Sequence, residues 1–115
     1  MKSILLSLLL GIALLVPAAA QDKTITETEF RVDGVCGMCK TRIEKAVSVK
    51  GVKFARWNKS TKMLKVAFLT TAITADFLQR RLAAVGHDTD TYRAPDAVYE
   101  ALPECCLYRG NATTH

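Results

Sequence analysis

Between Thr24 and Tyr92 the spacing of apolar residues changes from every second position to every third or fourth, and back, twice over. Few folds accommodate that rhythm, because a period of two needs a sheet with one buried face and a period near 3.6 needs a helix lying on it. Thr26, Thr28, Phe30 and Val32 share one side of a first strand, with Glu27, Glu29 and Arg31 on the other. Asp33-Gly34 ends it. From Met38 the period is helical, with Ile43, Ala46 and Val47 on one side, and Gly51 is the expected stop.

Two further strands follow, Val52 to Trp57 and Met63 to Leu69, joined by a hairpin loop at 58–62. Thr74 suits the N-cap of a second helix, with Asp76 in its first turn, a stripe of Phe77, Leu78, Leu82 and Val85, and Gly86 to close it. A short strand from His87 to Tyr92 completes the order βαββαβ. The expected class is α+β, a ferredoxin-like sandwich with two helices on one face of a four-stranded antiparallel sheet. Residues 94–115 lack periodicity and are expected to form an irregular or briefly helical tail that ends in disorder from Gly110.

The first twenty residues stand apart from this domain. Lys2 precedes an apolar run from Ile4 to Val16, and Pro17 and Ala18-Ala19-Ala20 follow. This is the layout of a secretory signal peptide cleaved after Ala20. The run is shorter than the roughly 20 residues a spanning helix needs, so no stable membrane insertion is expected after cleavage. The resulting division is a leader over 1–20, a domain over 21–93 and a cysteine-containing tail over 94–115, in a secreted and most plainly periplasmic protein.

Sixteen Lys and Arg against eleven Asp and Glu make the chain mildly basic. The cations are scattered, and no aromatic platform lines a basic groove, so nucleic-acid binding is a poor reading. No Ser-His-Asp set or carboxylate pair has credible catalytic spacing, and no enzymatic activity is expected from such groups.

Four cysteines remain, as Cys36 with Cys39 and Cys105 with Cys106. A disulfide within either pair would close a tiny loop and add little stability. Cys36-Gly37-Met38-Cys39 falls at a strand-to-helix turn, where two sulfurs can surround one ion. Thiolates select soft ions such as Cu(I), and the helix start, with Lys40 and Arg42 nearby, favours thiolate over thiol. The same turn chemistry would serve a thiol-disulfide oxidoreductase with Cys36 as nucleophile, and a plain disulfide pair is the third reading.

The run Phe30-Arg31-Val32-Asp33-Gly34-Val35-Cys36-Gly37-Met38-Cys39-Lys40, with Ile43-Glu44, Gly51-Val52 and Val85-Gly86-His87-Asp88-Thr89, resembles the heavy-metal-associated domain over residues 24–93. That family includes copper chaperones, metal-binding modules of copper-transporting ATPases and the periplasmic mercury-scavenging protein. The resemblance implies a βαββαβ fold, Cys36 and Cys39 as the two metal ligands, and transfer of Cu(I) by ligand exchange with a copper-transporting or copper-accepting partner. Hg(II), Zn(II) and Cd(II) are the other thiolate-accepting ions, and a mercury scavenger is the alternative within the family. One departure is plain: the family's loop reads Gly-Met-x-Cys-x-x-Cys, whereas only Val35 separates Gly34 from Cys36.

His87 is expected at the same end of the sandwich as the cysteine pair, as a turn residue, a third ligand or a pH-dependent gate. Cys105 and Cys106 could fold back onto the pair, hold a second ion alone or across a metal-bridged dimer, or form a structural disulfide. A shallow, exposed site with basic Lys40, Arg42 and Lys45 around it would suit rapid exchange with an acidic partner of a monomeric carrier.

Overall fold

The computed structural model describes residues 24–110 and 114–115. The proposed leader, and residues 111–113 of the tail end expected to be disordered, therefore lie outside the described residues. Three strands, β1 (Ile25–Arg31), β2 (Val52–Trp57) and β3 (Met63–Leu69), form an antiparallel sheet in the order β1-β3-β2. Helices α1 (Gly37–Ala46) and α2 (Ala75–Ala84) lie on it. The tail adds a short helix, α3 (Asp96–Glu100), and one 3₁₀ turn at Glu104–Cys106.

The alternation read in β1 places Phe30 in the core while Glu27, Glu29 and Arg31 stay exposed. Across it, Leu64, Val66 and Phe68 of β3 are buried, and Ile43 from α1, Val47 at its C-cap, and Leu78 and Leu82 from α2 close over them. Each such large side chain withdrawn from water is worth about 1.5–3 kcal/mol. The helices are tied to each other by Arg81, whose Nε donates to Ala46 O at 2.7 Å. Thr74 caps α2 as expected, its Oγ1 accepting the Phe77 N–H at 3.0 Å.

The C-terminal end of α2 sets the course of the chain beyond it. Gly86 has φ +108°, and the N–H groups of Gly86 and His87 return to Ala83 O and Leu82 O. This is a Schellman closure, which requires the left-handed backbone that glycine adopts without cost. A side chain at Gly86 would also meet Leu102 Cδ2 at 2.9 Å, so the tail packs directly on this turn.

Three expectations need correction. Helix α1 ends at Ala46, several residues before Gly51, whose φ of +100° serves the turn into β2 instead. Phe77 is 42% exposed, and Arg81 lies over its ring, so the buried stripe of α2 is Leu78, Leu82 and Ala83 with Gln79. The fourth strand is absent among the described residues: His87–Tyr92 contributes only a single bridge, Val32 to Thr89. The reason is local competition for ladder groups. Asp90 Oδ2 takes the Arg31 N–H at 2.9 Å, and Gln79 Oε1 accepts from Thr89 Oγ1 and Thr91 N. Thr89 N also turns back to Tyr92 O at 2.7 Å. The chain bends away before a ladder can extend.

Candidate metal centre

The loop from Val32 to Cys36 delivers the first cysteines. Gly34 passes so close to the core that a Cβ there would stand 3.0 Å from both Cys39 Cβ and the Trp57 ring. Trp57 is 1% exposed, and its Nε1 donates to Val32 O at 2.9 Å, which holds the loop down. Cys36 precedes the first turn of α1 and Cys39 lies within that turn, with the two sulfurs 3.4 Å apart.

The tail supplies the rest. Arg109 is its anchor: Nη2 and Nε reach the two Asp88 carboxylate oxygens at 2.8 and 3.1 Å, and Nη2 also donates to Ala94 O. Its guanidinium lies 4.1 Å from the centroid of the Tyr99 ring. Tyr108 stacks on His87, donates its hydroxyl to Gly86 O and accepts the Asp88 N–H. Held in this way, the 3₁₀ turn brings Cys106 Sγ to 3.4 Å from Cys36 Sγ.

The ligand atoms of Cys36, Cys39 and Cys106 all lie within 4.8 Å of one another. All three residues are buried, at 5%, 0% and 0% exposure, and all four cysteines carry free thiols. Cys105 is half-buried beside the trio, 3.9 Å from Cys36 and 4.0 Å from Cys106. The site is therefore neither shallow nor exposed. A tail that wraps back over the turn has covered it.

Charge around the sulfurs is arranged by α1. Arg42 Nη1 donates to Cys106 Sγ at 3.2 Å. Lys40 does not serve this purpose: its Nζ bonds Glu44 Oε2 at 2.5 Å and Trp57 O at 2.9 Å. Burial raises the Cys36 thiol, but the Cys39 backbone N–H and the three neighbouring thiols outweigh it and bring the pKa down to about 7. Burial dominates at Cys39, pushed up to about 12, and at Cys105, pushed up to about 11. Cys36 is thus the sulfur most readily present as the thiolate, while burial keeps the protons on Cys39 and Cys105.

His87 lies next to this cluster without joining the trio. Its ring is fully buried, Nδ1 bonds Asp33 O at 2.8 Å, and Nε2 has no hydrogen-bond partner among the described residues. Burial, with Arg42 nearby, brings its pKa down to about 4 against the pull of the Asp33 carbonyl. Its observed contacts brace the tail and the cysteine loop. The anchor residues Tyr108 and Arg109 carried no recognisable motif, and only the unexplained Cys105-Cys106 pair hinted that the tail had to come back.

No protein-family model and no curated protein matches the sequence. Solved structures do match the fold. A putative copper-ion-binding protein from Bacillus anthracis superposes with a TM-score of 0.56 at 20% identity, covering 60% of this chain and 100% of that one. Oxidized MerP from Ralstonia metallidurans gives 0.55 at 22% identity over 58% of this chain and 96% of that one. The N-terminal domain of a potential copper-translocating P-type ATPase from Bacillus subtilis, in its Cu(I)-loaded state, gives 0.54 at 24% over 57% and 85%.

The chain shares the fold of these structures. Each of these neighbours spans little more than half of this chain, so much of it has no counterpart in them.

Proposed function

We propose that this protein is an exported carrier or scavenger of a soft metal ion, foremost Cu(I), held by Cys36, Cys39 and Cys106. The observation that carries the reading is the convergence of three buried sulfurs, from two segments far apart in sequence, within 4.8 Å of one another. An all-sulfur donor set excludes hard ions and favours Cu(I) and its soft relatives. Structural zinc sites take four ligands, whereas Cys105 stands outside the trio. An ion equidistant from three sulfurs at about 2.3 Å requires them about 4 Å apart, so the 3.4 Å pairs need open only slightly on loading.

Within the trio, the Cys36 thiolate is the first to bond the ion. Bonds to Cys39 and Cys106 form as their protons leave, so uptake releases protons. Arg42 offsets part of the negative charge that three thiolates leave around a monovalent ion. Delivery runs in reverse, with an acceptor thiolate replacing one sulfur at a time. Burial of the trio favours retention over rapid exchange, which fits a scavenger or a carrier that unloads onto a docked copper-transporting partner. The leader-like residues 1–20 support delivery to the periplasm. Thiol-disulfide exchange is the second reading, favoured by the lowered pKa of Cys36 beside Cys39.

Titration of the reduced protein with Cu(I) against a competing chelator tests the proposal. Stoichiometric binding that is lost in Cys36→Ser and weakened in Cys106→Ser supports it. Absence of competitive binding, together with reduction of a disulfide substrate, would instead support the exchange enzyme. Parallel titrations with Hg(II) and Zn(II) rank the ions.

A further inference from the structure

Two sulfurs beside the buried trio, those of Met38 and Cys105, face each other. Cys105 Sγ donates towards Met38 Sδ at 3.4 Å. Met38 is 51% exposed, so its side chain meets solvent. It borders a surface groove together with Gly37, Thr41, Arg42 and Lys45. On its inner side, Cys105 is 3.9 Å from Cys36, which belongs to the trio. The four sulfurs Met38, Cys105, Cys36 and Cys106 thus form a continuous path from solvent to the buried site, with no step longer than 4.0 Å.

We propose that Met38 and Cys105 form an entry site for the soft ion, a transient two-sulfur station from which it passes to the trio. This inference rests on the metal-binding reading above. A thioether is a soft, neutral and weak donor, suited to holding Cu(I) briefly. In the transfer, Cu(I) bound by Met38 Sδ and Cys105 Sγ gains a bond to the Cys36 thiolate, and the uncharged Met38 thioether leaves. Cys106 and Cys39 then each lose a proton and bond the ion. Cys105 leaves as a thiolate and takes up one proton, so this exchange releases one proton net. The ion remains Cu(I) throughout, and no electron moves. Without such a station, an incoming ion would reach three buried sulfurs only after the tail lifted.

A station of this kind lowers the barrier between the loaded and empty states and leaves their energies alone, so uptake and release change together. Stopped-flow mixing of reduced protein with Cu(I) as its acetonitrile complex, followed by thiolate-to-metal absorption, reads uptake; mixing loaded protein with excess chelator reads release. Met38→Leu preserves volume and Cys105→Ser preserves shape. Each is expected to slow both rates about tenfold or more, while affinity stays within about threefold of wild type. Met38→His, which restores a donor, is expected to recover at least part of the rate.

Rates within about twofold of wild type in both variants overturn the entry site while leaving the trio intact. An affinity loss with unchanged uptake makes Cys105 a permanent ligand and also overturns it. A wild-type protein that takes up no ion overturns the entry site and the metal-binding reading together.

Discussion

The sulfurs of Cys36 and Cys106 stand 3.4 Å apart although 70 positions separate them in the chain. Cys36 is held by a loop pinned beneath Trp57, and Cys106 by a tail pinned through Arg109 and Tyr108. The donor set thus depends on two independently anchored segments, and each anchor can be tested.

Arg109 is the first test. Its guanidinium is largely covered and joins Asp88, Ala94 O and the Tyr99 ring. Arg109→Ala leaves the Asp88 carboxylate with the Ala94 N–H but without its cation, and should cost about 2 kcal/mol of stability, measured by denaturant unfolding. It should also weaken Cu(I) binding. Because both changes act by removing Cys106 from the site, Arg109→Ala combined with Cys106→Ser should weaken binding little more than Cys106→Ser alone.

Arg42 contributes charge and not a metal bond. Replacing it with Gln removes the cation 3.2 Å from Cys106 Sγ. A charge-assisted bond of this kind is worth about 1.5–3 kcal/mol, so Cu(I) affinity should drop roughly tenfold or more in a chelator competition. Lys40→Gln, by contrast, should leave affinity nearly unchanged, since that amine is committed to Glu44 and the Trp57 carbonyl.

His87 governs stability below neutral pH. Its pKa falls from 6.5 to about 4 because the buried ring resists a charge. Between those values the unfolded chain binds a proton that the folded chain refuses, so stability present above pH 6.5 is lost as the pH falls towards 4. The loss amounts to at most about 3 kcal/mol. Between pH 7 and pH 4 the unfolding free energy of wild type should fall relative to that of His87→Phe by up to about 3 kcal/mol, as the aromatic replacement has no proton to gain.

Much of the fold was legible because its signals are local. The alternation in β1, the Thr74 cap and the Gly86 closure are each decided by a few neighbouring residues, and the structure follows them. The missing fourth strand was not legible, since Asp90 and Gln79 compete for its ladder groups only after the chain has folded. Cys36 and Cys39 could be read from spacing at a strand-to-helix turn. For Cys106, folding back onto that pair was one of several open readings, and what selects it is the long-range grip of Arg109 on Asp88 and of Tyr108 on His87. Periodicity does not reveal the cover over the site.

Gly34 offers a separate check on the cysteine loop. A methyl group there would meet Cys39 Cβ and the Trp57 ring at 3.0 Å, and both neighbours are buried with no room to yield. Gly34→Ala should destabilise the protein by about 1–3 kcal/mol. A thermal melt that matches wild type would show the loop to be looser than this packing requires.

The number of sulfurs around the bound ion tests the central claim most directly. X-ray absorption at the copper edge of the Cu(I)-loaded, reduced protein should give three sulfur neighbours in wild type and two in Cys106→Ser. Two sulfurs in both proteins, or a nitrogen in place of the third, would contradict a centre built jointly by the cysteine loop and the tail.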